Sequence, residues 1–339
     1  MSQILSTGNG LACSCAEHVT KGSDCVHILR ELERLKGRGL GFRIMERSNF
    51  MLCKHCDSGN IIKKQIRRNK SGDVQTYQCK DCGKRFSLNL GFERMRYEDG
   101  VITRALGMYF AKMSTRRIAD QFESEGVDVS YQSIHNWVVK YSKSISVYVN
   151  GIVPRVGNWF RGDEVWVKVR GQKYYLFATM DDDTRYWLAS ELADSKDKHN
   201  AEDIFRMTKQ MAGKGPRVLI TDGLPAYQKA ARKVFGNKTY HKCDAGIRSK
   251  RIGSSGNYHP SNNKMERLNG EIRDREKVFR GLKKDDSAIL DGFRVYYNFA
   301  KKHGSLKGRT PAEVAGIRVD GANKWKTLIQ NASLDRLRN

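Results

Sequence analysis

The chain has 339 residues, with 62 Lys and Arg against 37 Asp and Glu, a formal net charge of +25. That length allows two or three domains, and that charge points to a polyanionic partner. No apolar run is long enough to span a membrane, and the first residues lack the basic start and apolar stretch of a secretory signal. A cytoplasmic, nucleoid-associated protein is expected, with a basic ribosome-associated factor as the bland alternative from charge alone. Of 8 cysteines, only Cys243 lies beyond residue 82. In a reducing compartment such clustering suggests metal ligands rather than disulfides.

In chain order, residues 1–48 open with Cys13 and Cys15, then Cys25 and His27. Close Cys/His spacing supplies four ligands for zinc. The pattern resembles the SWIM zinc finger, with His18 as a competing ligand; free thiols and a surface histidine are the simpler reading. ILRELERLKG then has the apolar spacing of a short helix. Residues 50–92 carry two CxxC knuckles, Cys53/Cys56 and Cys79/Cys82. Four thiolates from two such pairs suit tetrahedral zinc, and the strand-like flanks make this region look like a zinc ribbon. One or two structural zinc ions are therefore expected. His55 reads as a solvated loop residue.

Residues 98–147 read as three helices. Ser114 and Ser130 are N-cap candidates, and Gly126 closes the second helix. In the third, Ile134, Trp137, Val138 and Tyr141 make an apolar stripe. Tyr131, Gln132, His135, Asn136 and Lys140 occupy more polar positions. If this is a helix–turn–helix, those five residues are DNA contacts in a major groove. The alternative is a helical bundle packed on the next domain.

Pro154 and Gly157 mark an expected boundary, and residues 155–315 alternate differently. GDEVWVKVRG, KYYLFATMDD and RYWLASELAD read as a three-strand meander. A helix, the short strand RVLITDG and another helix follow, which predicts an α/β domain with a mixed sheet. Three acids stand out. Asp163 lies inside an apolar strand, where a charge is costly unless paired or metal-bound. Asp222 ends a strand, where an acid is more often a turn-former. Glu266 lies on a helical stretch, where most acids are merely solvated. Two strands and a helix can bring them together to hold two divalent cations for phosphoryl transfer. Phe293, Tyr296, Tyr297 and Phe299 in a late helix read as core, and residues 316–339 as a C-terminal tail.

The order Asp163, Asp222, Glu266 resembles the DDE triad of insertion-sequence transposases and retroviral-type integrases. Insertion-sequence family six is the best match, over residues 150–315 or so. The quoted meander, ITDGLPAY and NNKMERLNGEIRDREKVFRGLK carry the likeness; Asn262 and Asn263 precede the third acid, and Arg273 follows it by seven residues. The stretch between Asp222 and Glu266, with His241, Cys243 and His259, is longer than usual in that family. The resemblance implies an RNase-H-like catalytic domain binding two Mg²⁺ (or Mn²⁺), with Arg273 on a phosphate. It implies cleavage at transposon ends and strand transfer into target DNA. Expected partners are double-stranded terminal repeats and target DNA, and a second copy of the chain. A nuclease or resolvase that cuts without joining, and a domesticated DNA-binding regulator, are the rivals. Glu164 is expected to face away from Asp163, because successive strand residues alternate.

Overall fold

The computed structural model describes residues 4–7, 10–13, 42–44, 52–56, 58–69, 72–87, 90–243, 262–279, 281–283 and 288–338. The chain divides into two compact units, Met1–Arg104 with Arg318–Asn339, and Ala105–Ile317.

In the first unit, β1 (Ile4–Thr7) and β2 (Gly10–Cys13) form an antiparallel hairpin. β3 is the short strand Phe42–Ile44. β4 (Ile61–Asn69), β5 (Gly72–Cys79) and β6 (Arg85–Ser87) make a three-stranded antiparallel sheet. Its inward residues alternate as a half-buried strand requires. Tyr77 and Cys79 face a core completed by Cys53 and Phe86. Four buried residues are a small core, so this sheet needs a further staple to be stable. The expected C-terminal tail is instead largely a helix, Lys324–Arg338, that buries Trp325, Leu328 and Ile329. The backbone of Gly91 lies against Ile329 so closely that a Cβ there would fall 2.5 Å from its Cγ2. The residues of the expected short helix after His27 lie outside the described segments.

Three helices come next. α1 is Asp99–Phe110, α2 Thr115–Ser124 and α3 Tyr131–Asn150. Ser114 caps α2 by accepting from the Arg117 N–H, and Ser130 caps α3 by accepting from the Ser133 N–H. Gly126 takes φ +77° just after α2, where a side chain would be strained. The stripe of α3 is buried as its spacing predicts, and continues through Ile145 and Val149.

The main sheet of the second unit has five strands: β7 (Trp159–Val169), β8 (Gln172–Asp181), β9 (Trp187–Ala193), β10 (Val218–Thr221) and β11 (Tyr240–Cys243). Their order is β11-β10-β7-β8-β9. The meander β7-β8-β9 is antiparallel, while β10 and β11 run parallel to β7. The parallel strands are reached through α4 (Lys198–Ala212) and α5 (Pro225–Phe235). This is the RNase-H-like mixed sheet. α6 (Asn263–Phe279) packs on β7, and α7 (Ala288–Val295) packs on α3. A π-helical turn, Tyr296–Ala300, follows α7. Phe293, Tyr297 and Phe299 are buried around Trp187 and Tyr186. Among the described residues no helix is long and apolar enough to cross a membrane.

Candidate active site

β7 and β10 are neighbours in parallel register, with Ile220 beside Arg161. Asp163 therefore lies on the central strand, and Asp222 leaves the end of the next strand on the same side. The turn after β10 has two jobs: Asp222 Oδ1 accepts from the Leu224 N–H at 3.2 Å, and Gly223 takes φ +93°. The turn-forming reading of this acid and the site-forming one hold together.

Asp163 is anchored on both oxygens. Oδ1 accepts from the Glu164 N–H at 2.9 Å, and Oδ2 accepts from Asn269 Nδ2 at 2.9 Å. Asn269 is buried on α6, and two turns earlier Asn262 Nδ2 reaches the Gly162 carbonyl at 3.4 Å. Burial pushes the Asp163 carboxyl up to about 7, with the charges of Asp222 and Glu164 adding to it. Asp222 is raised too, by burial and then by Glu164.

The acids brought together are Asp163, Asp222 and Glu164, whose oxygens lie within 4.8 Å of one another. The expectation that Glu164 faces away from Asp163 does not hold at the carboxylates: alternation sends the two Cβ atoms to opposite faces, yet their oxygens approach within 4.8 Å. Glu164 accepts from Tyr227 Oη on α5 at 2.6 Å and pairs with Lys196. Tyr227 is held well above its ordinary pKa by burial and by the Glu164 charge. Alternation thus separates the partners of the two acids without taking the carboxylates far apart. Glu266 is not in this trio. It is exposed in the first turn of α6. At about 100° per residue, it sits some 40–60° around the helix from Asn262 and Asn269, which touch β7.

Residues 158–303 match a family described as a DDE domain. Those residues form a DDE domain. The chain is 25% identical over 235 residues to the Staphylococcus aureus transposases for the insertion-sequence-like element IS431mec and for IS257 in transposon Tn4003, covering 67% of this chain and 98% of theirs. An uncharacterized 48.3 kDa protein of insertion element ISM1 from Methanobrevibacter smithii is 31% identical over 145 residues, covering 38% of this chain and 35% of that one. The magnesium complex of the HTLV-2 integrase catalytic core domain, in its trimeric form, aligns with a TM-score of 0.35 at 16% identity, covering 48% of this chain and 98% of that one.

Within the DDE domain, Arg273 is exposed on α6, two turns past Glu266. Lys196, Tyr227, Asn269 and the role of Glu164 escaped the sequence reading. Asn269 alone left a trace there, three residues after Glu266 on a helix face shared with Asn262. Ahead of the DDE domain, Tyr131, Gln132, His135, Asn136 and Lys140 are all exposed along α3. Arg116 lies over the Tyr131 ring at 5.3 Å, and Lys140 over Tyr141 at 5.0 Å.

A second cluster stands in the first unit. The sulfurs of Cys53, Cys56, Cys79 and Cys82 lie within 4.8 Å of one another, with Cys53–Cys82 and Cys56–Cys79 at 3.6 Å. Burial works against ionisation of Cys79, yet the backbone N–H groups of Cys82 and Asp81 bring its thiol down to about 7. Burial instead holds Cys56 up, at about 12. Cys15, Cys25 and His27 lie outside the described residues, and of Cys13 only the strand position is described.

Proposed function

We propose that this protein is a DNA transposase, a polynucleotidyl transferase that cuts at the ends of its element and joins them to target DNA. The observation that carries this reading is the pair Asp163 and Asp222. Two acids stand together on adjacent strands of a DDE domain, and burial, with the Asp222 charge adding to it, raises Asp163 to about 7. A divalent cation relieves that repulsion, and an all-oxygen donor set suits Mg²⁺ or Mn²⁺. Asp163, Asp222 and Glu266 are the residues that would hold two such ions, which when bound supply Lewis-acid activation and charge neutralisation for phosphoryl transfer.

The chain's own groups prepare that site. Asn269 fixes one Asp163 oxygen and leaves the other on the backbone. Lys196 and Tyr227 occupy the oxygens of Glu164, so this acid serves as a strut between β7 and α5. Glu266 rides on the helix that touches Asp163, with its carboxylate exposed. Arg273 lies on the same side of that helix and is placed to contact a phosphate. The five exposed residues of α3 read double-stranded DNA at the terminal repeats, and a homo-oligomer brings two ends together. The four cysteines of the β4–β6 sheet hold a structural zinc ion, for which four thiolates at tetrahedral spacing are the right donors. The SWIM-like set Cys13, Cys15, Cys25 and His27 holds a second.

The test is cleavage and joining of labelled terminal-repeat duplexes in Mg²⁺. Asp163→Asn, Asp222→Asn and Glu266→Gln should each lose all metal-dependent cleavage while still binding DNA. Glu164→Gln should keep it. Cut ends without joined products would instead make this a nuclease.

A further inference from the structure

The DDE domain carries a second feature that the acid site does not use. β11, β10 and β7 start in register, Tyr240 beside Val218 and Val218 beside Trp159. Register partners in parallel strands project from the same face of a sheet, so these three side chains form a row across it. Neighbouring strands are about 4.8 Å apart, which separates the two aromatic residues by roughly 10 Å. Both are exposed, Trp159 at 39% and Tyr240 at 67%. They line an open cleft of ≈ 450 Å³ together with Asn158, Arg217, Val218 and Lys238. Lys214 adds a further cation, 3.3 Å from Asn158 Oδ1. Among the described residues no acid lines the cleft.

We infer that this row is a stacking platform for unpaired DNA: Trp159 and Tyr240 each take one base, and Arg217, Lys238 and Lys214 take the phosphates between and beside them. Aromatic rings interleaved with cations are the chemistry of sequence-tolerant single-strand binding. A duplex keeps its base faces covered and has no use for two exposed rings. Position fits this role. Trp159 and Asp163 lie on the same face of β7, four residues or roughly 13 Å apart. Strand separation next to a cut would deliver unpaired nucleotides along that line. This last step rests on the transposase reading; the platform itself does not.

The experiment uses the full chain with no added Mg²⁺ or Mn²⁺ and no chelator, so that no cutting occurs and the cysteine cluster keeps its metal. Fluorescent oligonucleotides of three kinds are titrated: blunt duplex, the same duplex with a short single-stranded tail, and oligo-dT. Trp159→Ala and Tyr240→Ala should each weaken tailed and oligo-dT binding by roughly 5- to 150-fold, the range for losing one base stack. Blunt-duplex binding should stay within about twofold, and Trp159→Phe should restore most of the loss. Equal losses on all three DNAs, or none on any, would overturn the platform. So would variants that keep oligo-dT binding but fall apart from oligomer to monomer on size exclusion, since the row would then be a contact between copies. Asp163→Asn separates the two ideas. If it cuts like wild type in Mg²⁺ the acid site is misassigned, while its oligo-dT binding still reports on the platform alone.

Discussion

Asp163 is protonated over much of the range in which an ordinary aspartate is ionised, because it is buried beside two other acids. That has a consequence for stability. The folded state binds a proton that the unfolded chain releases near pH 4, so stability falls as pH rises from about 4 to about 7. At about 1.4 kcal/mol per unit, the contribution is of the order of a few kcal/mol. Thermal melts of protein free of Mg²⁺ and Mn²⁺ should therefore show Asp163→Asn gaining on wild type between pH 5 and pH 8. Adding Mg²⁺ should raise the melting temperature of wild type more at pH 8 than at pH 5.5, since the cation competes with the proton. A parallel pH dependence for Asp163→Asn and wild type would remove Asp163 as the source. The identity of this residue was legible in the sequence, because a lone acid in an apolar strand needs a reason. Its supports were not. Lys196, Tyr227 and Asn269 sit on three different elements, and their convergence is a property of the folded sheet.

At the scale of the element, the helices were legible in detail, down to their caps. Ser114, Ser130 and Gly126 each act locally, through a side chain or a φ angle a few residues away, and local signals survive in a sequence. What the helices pack against is a long-range fact and did not. α3 and α7 approach at Gly292, where a Cβ would stand 2.1 Å from Ser142 Oγ and 2.4 Å from Phe110 Cζ. Gly292→Ala brings two opposed effects. Helix propensity favours alanine by about 1 kcal/mol, while forcing apart a packed interface costs about 1–3 kcal/mol. Both neighbours are themselves packed, so the clash should win, and urea denaturation should show a net loss of roughly 1–2 kcal/mol. An unchanged midpoint would mean that the two helices separate freely. The β4–β6 sheet invites a different measurement. Its core of Cys53, Tyr77, Cys79 and Phe86 is too small to stand unaided. Purified protein should carry zinc in the ribbon, and Cys79→Ser should remove about one equivalent per chain, as a four-ligand site requires. Metal content unaffected by that substitution would leave the four cysteines as thiols.

For the whole molecule, the sequence places a boundary near Pro154 and Gly157, where turn-forming residues interrupt the pattern. The compact units divide elsewhere, after Arg104 and after Ile317. The residues around 154 are not a slack linker. Arg155 N–H donates to the Ala315 carbonyl at 2.8 Å, and Gly157 N–H donates to Asp181 Oδ1 at 2.9 Å. Gly157 is needed there because a Cβ would collide with the Asp183 carboxylate, 1.9 Å from Oδ2. A glycine that permits close approach and one that ends a domain look alike in a sequence. The stripe on α3 likewise announces burial without naming the surface that covers it. The outcome can be tested with two fragments. One spans residues 98–317 and keeps α1, α2 and α3; the other spans 155–317 and lacks them. The second leaves the α7 side of Phe293 and Gly292 without α3, an exposed apolar face of the kind that drives association. The longer fragment should melt in one cooperative transition by circular dichroism and near-ultraviolet signal alike. The shorter one should aggregate or melt without a sharp midpoint. Equal cooperativity in both would make α3 an appendage and restore the boundary near residue 150.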